Sequence, residues 1–409
     1  MHKVAIIGAG AAGIMCSIHA ASDDNQVVLF DKNSMAGKKI LVTGNGRCNY
    51  WNSNQDLSHY HSSTPELLSN IITSRVQKEV LDFFDSLGVV PNIRDGYYYP
   101  YSNQASSIRD LLVQEARKRE VIFSFDTEIS DVYKENEKFV VVTKDGREYF
   151  DDLVIATGSK ASPKTGSTGD GYLFAGKFGH HIVPVCPALV QVITEGNFLK
   201  DWSGVRASCL VSLYTNNKFI KQEFGEIQLT DYGVSGICVF NLSRYISNNL
   251  KEDNKLVLNF LPFLKDKSKE EIFSWFSIRA SSLGESSFVE FLEGILPYKL
   301  LLVILKRAGI SPKNTWNDLS NERRQKLISM ILEFPLGVLG TKDFSSSQVC
   351  SGGVALTEVS SQLESKNISH LYFVGEVLDV DGDCGGYNLG FSFMSGILVG
   401  KTIRGDFYD

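Results

Sequence analysis

The stretch that most constrains this chain is its start. Residues 3–7, KVAII, are a short β-branched apolar run that leads directly into Gly8-Ala9-Gly10-Ala11-Ala12-Gly13, and small residues continue with helical spacing to about Ala21. Residues 26–32, QVVLFDK, form a second strand-like run containing Asp31, eighteen residues beyond Gly13. A G-x-G-x-x-G alone is common; between a strand and a helix, with an acid closing the next strand, it predicts a βαβ dinucleotide unit. Each glycine has a task. Gly8 allows the tight turn, Gly10 lets backbone amides approach a pyrophosphate, and Gly13 lets the helix pack close to the sheet, with phosphates at the positive helix N-terminus and Asp31 on a ribose hydroxyl. The same start has the charged and small residues of a secretory leader, but the order strand, turn, helix, strand, acid argues against that reading.

Composition sets the outer bounds. A chain of 409 residues exceeds one ordinary core, so roughly two to three domains are expected. A formal charge of −6 argues against an extended nucleic-acid or anionic-membrane surface. Seven cysteines, an odd number with no C-x-x-C pair, match the usage of a reduced, cytoplasmic protein. No apolar run approaches the roughly 18–20 residues of a membrane span, and LLLVIL (300–305) is expected as a buried helix.

Beyond the first unit the strands and helices stop alternating as a simple NAD dehydrogenase requires. After GYYYPYSNQ and an amphipathic helix of about 104–119, three strand-like runs (TEISDVYK, KFVVVTKDG, REYFDDLVIATG) with turn signals between them read as a meander. The meander returns to a strand ending in Ala156-Thr157-Gly158, which resembles the FAD domain of glutathione-reductase-type flavoproteins. Near the C-terminus, HLYFVGEVLDVDGDCGGYNLGFSFMSGILVGKTI gives a strand ending in Gly375-Glu376, a glycine-rich turn and a small-residue helix.

Together with AGKKILVTGNGRCN, ATGSKASPKTGSTGDGY and GEIQLTDYGVSG, these motifs resemble the bacterial NAD(P)/FAD-dependent oxidoreductases of the aminoacetone-oxidase and 3-dehydro-bile-acid-reductase type, over about residues 1–405. The resemblance implies an α/β fold in which a glutathione-reductase-type FAD-binding Rossmann domain (1–186 and 345–409) is interrupted by a small β-barrel module (187–267 and 334–344) and a helical module (268–333). A capping box, Ser268-x-x-Glu271, marks the first helix of that module. Further helices are expected around 286–307, closed by Gly309, and over 320–333.

The cofactor implied is FAD. Its expected contacts are Gly8, Gly10, Ala11, Ala12, Gly13, Asp31 and Lys32; Lys38, Lys39, Gly44, Gly46, Arg47, Cys48 and Asn49; Ile129; Ala156, Thr157 and Gly158; Gly375 and Glu376; and Gly386, Tyr387, Asn388 and Leu389. In such flavoproteins the acid after the glycine, here Glu376, binds the ribityl chain. The following helix points its N-terminus at the flavin, where partial positive charge favours the reduced ring. Only one G-x-G-x-x-G is present, so NAD(P)H, if used, must dock transiently.

Flavin chemistry asks little of side chains beyond orientation and a proton. The candidates are Arg47 in GNGRCN, Tyr101 in the tyrosine run after Arg94, and Asp379 in the turn before the last helix. A turn-forming role for Asp379 stays open. His180 and His181 follow Gly179, and helix capping accounts for them. Cys48 beside Arg47 is either a packed residue or a thiol with a lowered pKa, and Cys384 has no partner cysteine nearby in sequence. No metal site is expected, since His59 and His61 lie too far from GNGRCN for a familiar ligand pattern.

The expected activity is hydride transfer between flavin N5 and a small organic substrate, as an aminoacetone-type amine oxidase or an NAD(P)H-dependent reductase. The alternative is a flavin-containing binding or regulatory protein, a class that includes one contacting RNA, with FAD mainly structural. Neither nucleic acid nor membrane is an expected partner of the enzyme, and the sequence leaves oligomeric state open.

Overall fold

The computed structural model describes residues 1–406; residues 407–409, the end of the expected 345–409 segment, lie outside the described residues. The chain divides into two compact units, Met1–Pro187 with Ser347–Asp409, and Ala188–Ser346.

The first unit is built on a five-stranded sheet in the order Leu371–Phe373, Asp152–Ile155, His2–Ile7, Asn25–Phe30, Ile122–Ser124. Every pairing in it is parallel, with Ile7 beside both Ile155 and Phe30. A sheet covered on both faces needs continuous apolar strands, and Val4–Ile7 and Leu153–Ile155 are fully or almost fully buried. The helix Ala11–Ala20 follows the first strand, and the long helix Tyr387–Arg404 packs along it. Their approach is set by glycine. A Cβ on Gly396 would lie 2.7 Å from the Ala12 carbonyl oxygen, and one on Gly400 would lie 2.6 Å from that of Cys16.

Three antiparallel strands, Asp131–Glu135, Lys138–Thr143 and Gly146–Phe150, form the expected meander. It turns at Asn136 and Glu137, both with positive φ, the backbone a two-residue hairpin turn requires. A second three-stranded sheet joins Trp51–Asn52, Tyr97–Pro100 and Pro91–Arg94.

The second unit holds a closed six-stranded barrel: Val192–Thr194, Gly233–Ser235, Lys218–Leu229, Arg206–Thr215, Asn254–Asn259 and Phe334–Thr341. Alternation along its strands points Cys209, Val211 and Leu213 inward. Five longer helices accompany it, beginning with Ile237–Ser247 and, behind the Ser268–Glu271 capping box, Lys269–Leu283. Barrel and helices share one apolar core, in which Trp202, Phe276, Phe291 and Phe334 are buried.

Three local expectations change. The helix expected around 286–307 is two, Phe288–Glu293 and Tyr298–Ala308, because Pro297 cannot continue a helix and instead caps the second. In ALVQVITE only Val192–Thr194 is barrel strand, since Ala188 ends the strand Ile182–Ala188 and Leu189 has positive φ. The strand in KLVLNFLPF stops at Asn259, and Pro262 opens a short 3-10 turn.

Candidate functional site

The glycine turn after the first strand is compressed where the sequence needs glycine and open where it needs room. A Cβ on Gly8, whose φ is +108°, would meet the Ala156 carbonyl oxygen at 2.4 Å, and one on Gly13 would meet the Gly8 carbonyl oxygen at 1.9 Å. Gly10 differs: a Cβ there would find nothing within 4 Å. Gly10 caps the helix Ala11–Ala20, which has no side-chain cap and no acid in its first turn. Its leading N–H groups therefore face an open, uncompensated place suited to an anion.

Asp31 lies just past the second strand. One of its carboxylate oxygens accepts the Ala9 N–H (2.8 Å), and the other accepts the Asn33 N–H (2.8 Å) and side-chain amide (2.9 Å). Spare lone pairs on the first oxygen leave capacity for a hydroxyl. Lys32 is turned away to Thr168 and Asp170, and Lys38 reaches only Asn33 at 3.2 Å. Lys39 is directed inward: its Nζ donates to Glu376 Oε2 at 2.7 Å, which also accepts from Ser159 Oγ at 3.0 Å. Ala156, Thr157 and Gly158 follow the strand Asp152–Ile155, and Thr157 Oγ1 is a buried oxygen without a hydrogen-bond partner. Ile129 is half-buried against the core beside the meander.

The other half of the site is the glycine-rich turn before the helix Tyr387–Arg404. Gly375 has φ +71°, and a Cβ on it would lie 2.7 Å from Ala12 Cβ, so the 3-10 turn carrying Glu376 packs against the helix Ala11–Ala20. Gly386, with φ +93°, caps the long helix, again with no side-chain cap and no acid in the first turn. Asn388 secures this turn, donating to the Gly382 and Asp383 carbonyls and accepting the Gly382 N–H. Leu389 is half-buried against the core.

GNGRCN folds onto this turn. Gly44, Asn45, Gly46 and Cys48 all have positive φ, which makes residues 44–48 a tight coil. With its amide oriented to satisfy both ends, Asn49 donates to the Tyr98 and Trp51 carbonyls and accepts the Gly386 N–H at 3.3 Å. Arg47 donates from Nε to the Gly44 carbonyl at 3.3 Å, and its guanidinium lies 5.2 Å from the Tyr99 ring centre. Cys48 is fully buried, and burial pushes its thiol up to about 12 against a weaker opposing bond from Thr43. The lowered-pKa reading of Cys48 is therefore overturned: desolvation disfavours the thiolate more than the Thr43 hydrogen bond favours it. Burial, with Asp383 nearby, likewise pushes Cys384 up to about 11. None of the seven cysteines is disulfide-bonded.

Of the proposed chemical groups, Arg47 is brought to the turn, Tyr101 stands on an exposed bend, and Asp379 is buried and committed. Asp379 accepts from the Ser63 N–H (2.8 Å), Ser63 Oγ and Ser62 Oγ (3.2 Å), so its role in the structure is to tie two loops. His180 is buried between the Ala175 carbonyl and Ser365 Oγ, in keeping with a capping role. Sequence reasoning missed a second group. His59 and His61 both bind the buried carboxylate of Asp383, next to Cys384 in the same turn, and the His59 ring stacks on Tyr387 at 4.6 Å. Among the described residues no cluster of three or more His, Cys, Asp or Glu is placed around a common point to hold a metal ion. No described helix is long and apolar enough to cross a membrane.

These features fit a dinucleotide bearing a flavin. An open Gly10, two helices with no acid in the first turn, and the orphaned Thr157 hydroxyl are features an extended anionic ligand with polar substituents would use.

Residues 2–402 match the family model for the HI0933-like protein Rossmann domain. Over 406 residues the chain is 36% identical to the 3-dehydro-bile acid delta(4,6)-reductase of Clostridium scindens, covering 98% of this chain and 99% of that protein. It is 29% identical over 392 residues to the ribosomal RNA dihydrouridine synthase of Escherichia coli K12, covering 95% of each. Among solved structures, an Escherichia coli quinol fumarate reductase aligns with a TM-score of 0.50 at 14% identity, covering 99% of this chain and 71% of the other, a likeness of fold alone.

Proposed function

This chain belongs to the HI0933-like family of FAD-binding Rossmann oxidoreductases, and we propose that it is a reductase that saturates a carbon–carbon double bond conjugated with a carbonyl in a small organic substrate. The observation that carries the cofactor half of this reading is a pair of packed helices in one unit, neither with an acid in its first turn, with Gly375 set between Ala12 of one and Ser392 of the other. Two relatives support the reaction half. One is named for the delta(4,6) bonds of a 3-dehydro bile acid, and the other for dihydrouridine, which is uridine with the ring double bond saturated. At the bond that changes, both are additions of hydride and proton beside a carbonyl.

When bound, FAD would supply the hydride chemistry, with NAD(P)H as the proposed donor. In this reading the Gly8–Gly13 turn holds the pyrophosphate, with Asp31 on the adenosine ribose. The Lys39–Glu376–Ser159 group holds the ribityl chain, and the N–H groups of Gly386–Leu389 meet the flavin end where charge develops. Arg47 and Asn49 fix the loop that covers this end. A second reading, reduction of uridine in ribosomal RNA, is favoured by the 29% identical relative; the net charge of −6 weighs against an extended RNA surface.

The test is NADPH oxidation by the FAD-loaded protein, without oxygen, offered in turn a 3-oxo-4,6-diene bile acid, unmodified ribosomal RNA and aminoacetone. The reading expects NADPH loss with the bile acid and a product carrying two added hydrogens. Dihydrouridine formed in the RNA would move the assignment to the second reading. Peroxide released from aminoacetone in air, with no reduction of either alkene, would overturn both.

A further inference from the structure

We infer that His59, Asp383 and His61 form the proton-holding group of this site, with Nε2 of His59 as the atom that delivers the proton. The inference rests on the proposed reductase reading and on placing the flavin at the N-terminus of the helix Tyr387–Arg404. Saturating a conjugated double bond adds hydride to one carbon and a proton to its neighbour. When bound, FAD in its reduced form would supply the hydride; the proton must come from a side chain or from water.

The other candidates are spoken for. Asp379 is engaged by Ser62 and Ser63, Tyr101 lies on an exposed bend, and the thiols of Cys48 and Cys384 are held protonated by burial. His2 and His370 share Asp152 at the amino ends of the sheet strands, whereas ligands of such folds bind at the carboxyl ends. His19 is sealed inside against Phe83, His180 is locked between Ala175 and Ser365, and His181 stands exposed just before the strand Ile182–Ala188.

The remaining pair is built into the turn that leads to the flavin helix. The strand Tyr60–His61 pairs with Asp381–Gly382, and the Asp383 N–H donates to the His59 carbonyl at 2.9 Å. Asp383 then takes one imidazole on each oxygen: His59 Nδ1 at 3.0 Å and His61 Nε2 at 2.9 Å. Its side chain is 8% exposed, against 12% for His61 and 30% for His59, so the group opens to its surroundings through His59. A carboxylate between two imidazoles can stabilise one imidazolium while the other ring stays neutral, so the group gains and loses a single proton without stranding a buried charge. After delivery, neutral His59 donates from Nδ1 to Asp383 and accepts from the Asn54 amide, which lies 3.2 Å from Nε2 in the structure. Solvent refills Nε2 through the exposed edge.

The groups facing this pair do not compete for the proton at neutral pH. Burial raises Tyr60, Tyr97, Tyr387 and Cys384, which stay protonated, and the Ser58 hydroxyl and N–H hold Asp56 low, so it stays ionised. Asp381 sits opposite His61 in the strand pair, and Asp379 is bound by the serines. Negative charge developing at the helix N-terminus on reduction strengthens the hold of this group on its proton, which couples proton uptake to the electron transfer.

The test compares His59→Asn, which keeps a donor toward Asp383, and Asp383→Asn with the unsubstituted enzyme, using the 3-oxo-4,6-diene bile acid as substrate and His370→Asn as a control. The parent's rate should decline as pH rises; both variants should keep FAD, lose about 100-fold in turnover, and lose that decline. The flavin midpoint potential should depend on pH less steeply in both variants than in the parent. His59→Ala should regain turnover with added imidazole, which guards against a variant that simply packs badly. Unchanged pH profile and potential slope, whatever the rate, would overturn the inference, as would failure of imidazole to rescue an FAD-loaded His59→Ala. If the parent binds FAD but does not reduce the diene, the reductase reading fails, and the potential slope still decides the role of the histidines.

Discussion

Two glycines of one motif make opposite demands on the residue that replaces them. Gly13 cannot gain a Cβ without striking the Gly8 carbonyl at 1.9 Å, whereas Gly10 has an ordinary φ of −83° and open space on its Cβ side. Gly10→Ala should cost the unliganded protein no more than about 1 kcal/mol, the scale of a helix N-cap change, yet weaken FAD binding by about tenfold or more. Denaturant unfolding of the apoprotein beside FAD titration separates the two effects; equal FAD affinity in parent and variant would mean that the pyrophosphate lies elsewhere. Cys48 makes the reverse case, a reactive residue type in an inert place. With the thiol fully buried and pushed up to about 12, Cys48→Ala should keep FAD, and thiol reagents at neutral pH should leave Cys48 unlabelled in the native protein. Rapid labelling of Cys48, read by mass spectrometry of the peptide, would contradict this.

The contact between the helices Ala11–Ala20 and Tyr387–Arg404 joins the two halves of the proposed cofactor site, and it depends on small residues. Gly400→Ala would put a methyl group 2.6 Å from the Cys16 carbonyl oxygen, so the helices must part. The expected loss is about 1–3 kcal/mol, measured by denaturant unfolding, with weaker FAD binding because the second N-terminus moves with its helix. His19, on the first of these helices, gives the pair a pH dependence. Burial holds its pKa down to about 4 despite the bond to the Met15 carbonyl, while the unfolded chain titrates near the ordinary 6.5. Between those values the unfolded chain carries the extra proton. Stability from this residue is therefore complete above about pH 6.5, falls as pH drops toward about 4, and levels off below, a change of roughly 3 kcal/mol. His19→Gln should flatten that part of the profile, and an unchanged slope between about pH 6.5 and about pH 4 would show that other groups set it. Elements of this kind were largely legible in the chain, because strand, turn and helix carry their own signals over a few residues. The exceptions were set by single residues, as where Pro297 divides a helix.

At the scale of the whole molecule, legibility depended on distance along the chain. The glycine turn and its strands and helix were readable because Gly8 to Asp31 spans one βαβ unit and each residue there answers to a local rule. The proton group was not, because Asp383 and His59 stand 324 residues apart and only the fold makes them neighbours. A pairing of Tyr60–His61 with Asp381–Gly382 leaves no periodic mark in two-residue strands. In the second unit the sequence separates a barrel from a helical segment by their different periods, yet the structure packs both around one core, since adjoining apolar faces bury each other. The central claim is that this architecture uses FAD to reduce a conjugated double bond, and a single turnover tests it most directly. The FAD-loaded protein is photoreduced without oxygen and mixed with one equivalent of a 3-oxo-4,6-diene bile acid while the flavin absorbance is followed. The account predicts that the oxidised flavin spectrum returns as one double bond per flavin is saturated; a flavin that stays reduced until air is admitted, then releases peroxide, would contradict it.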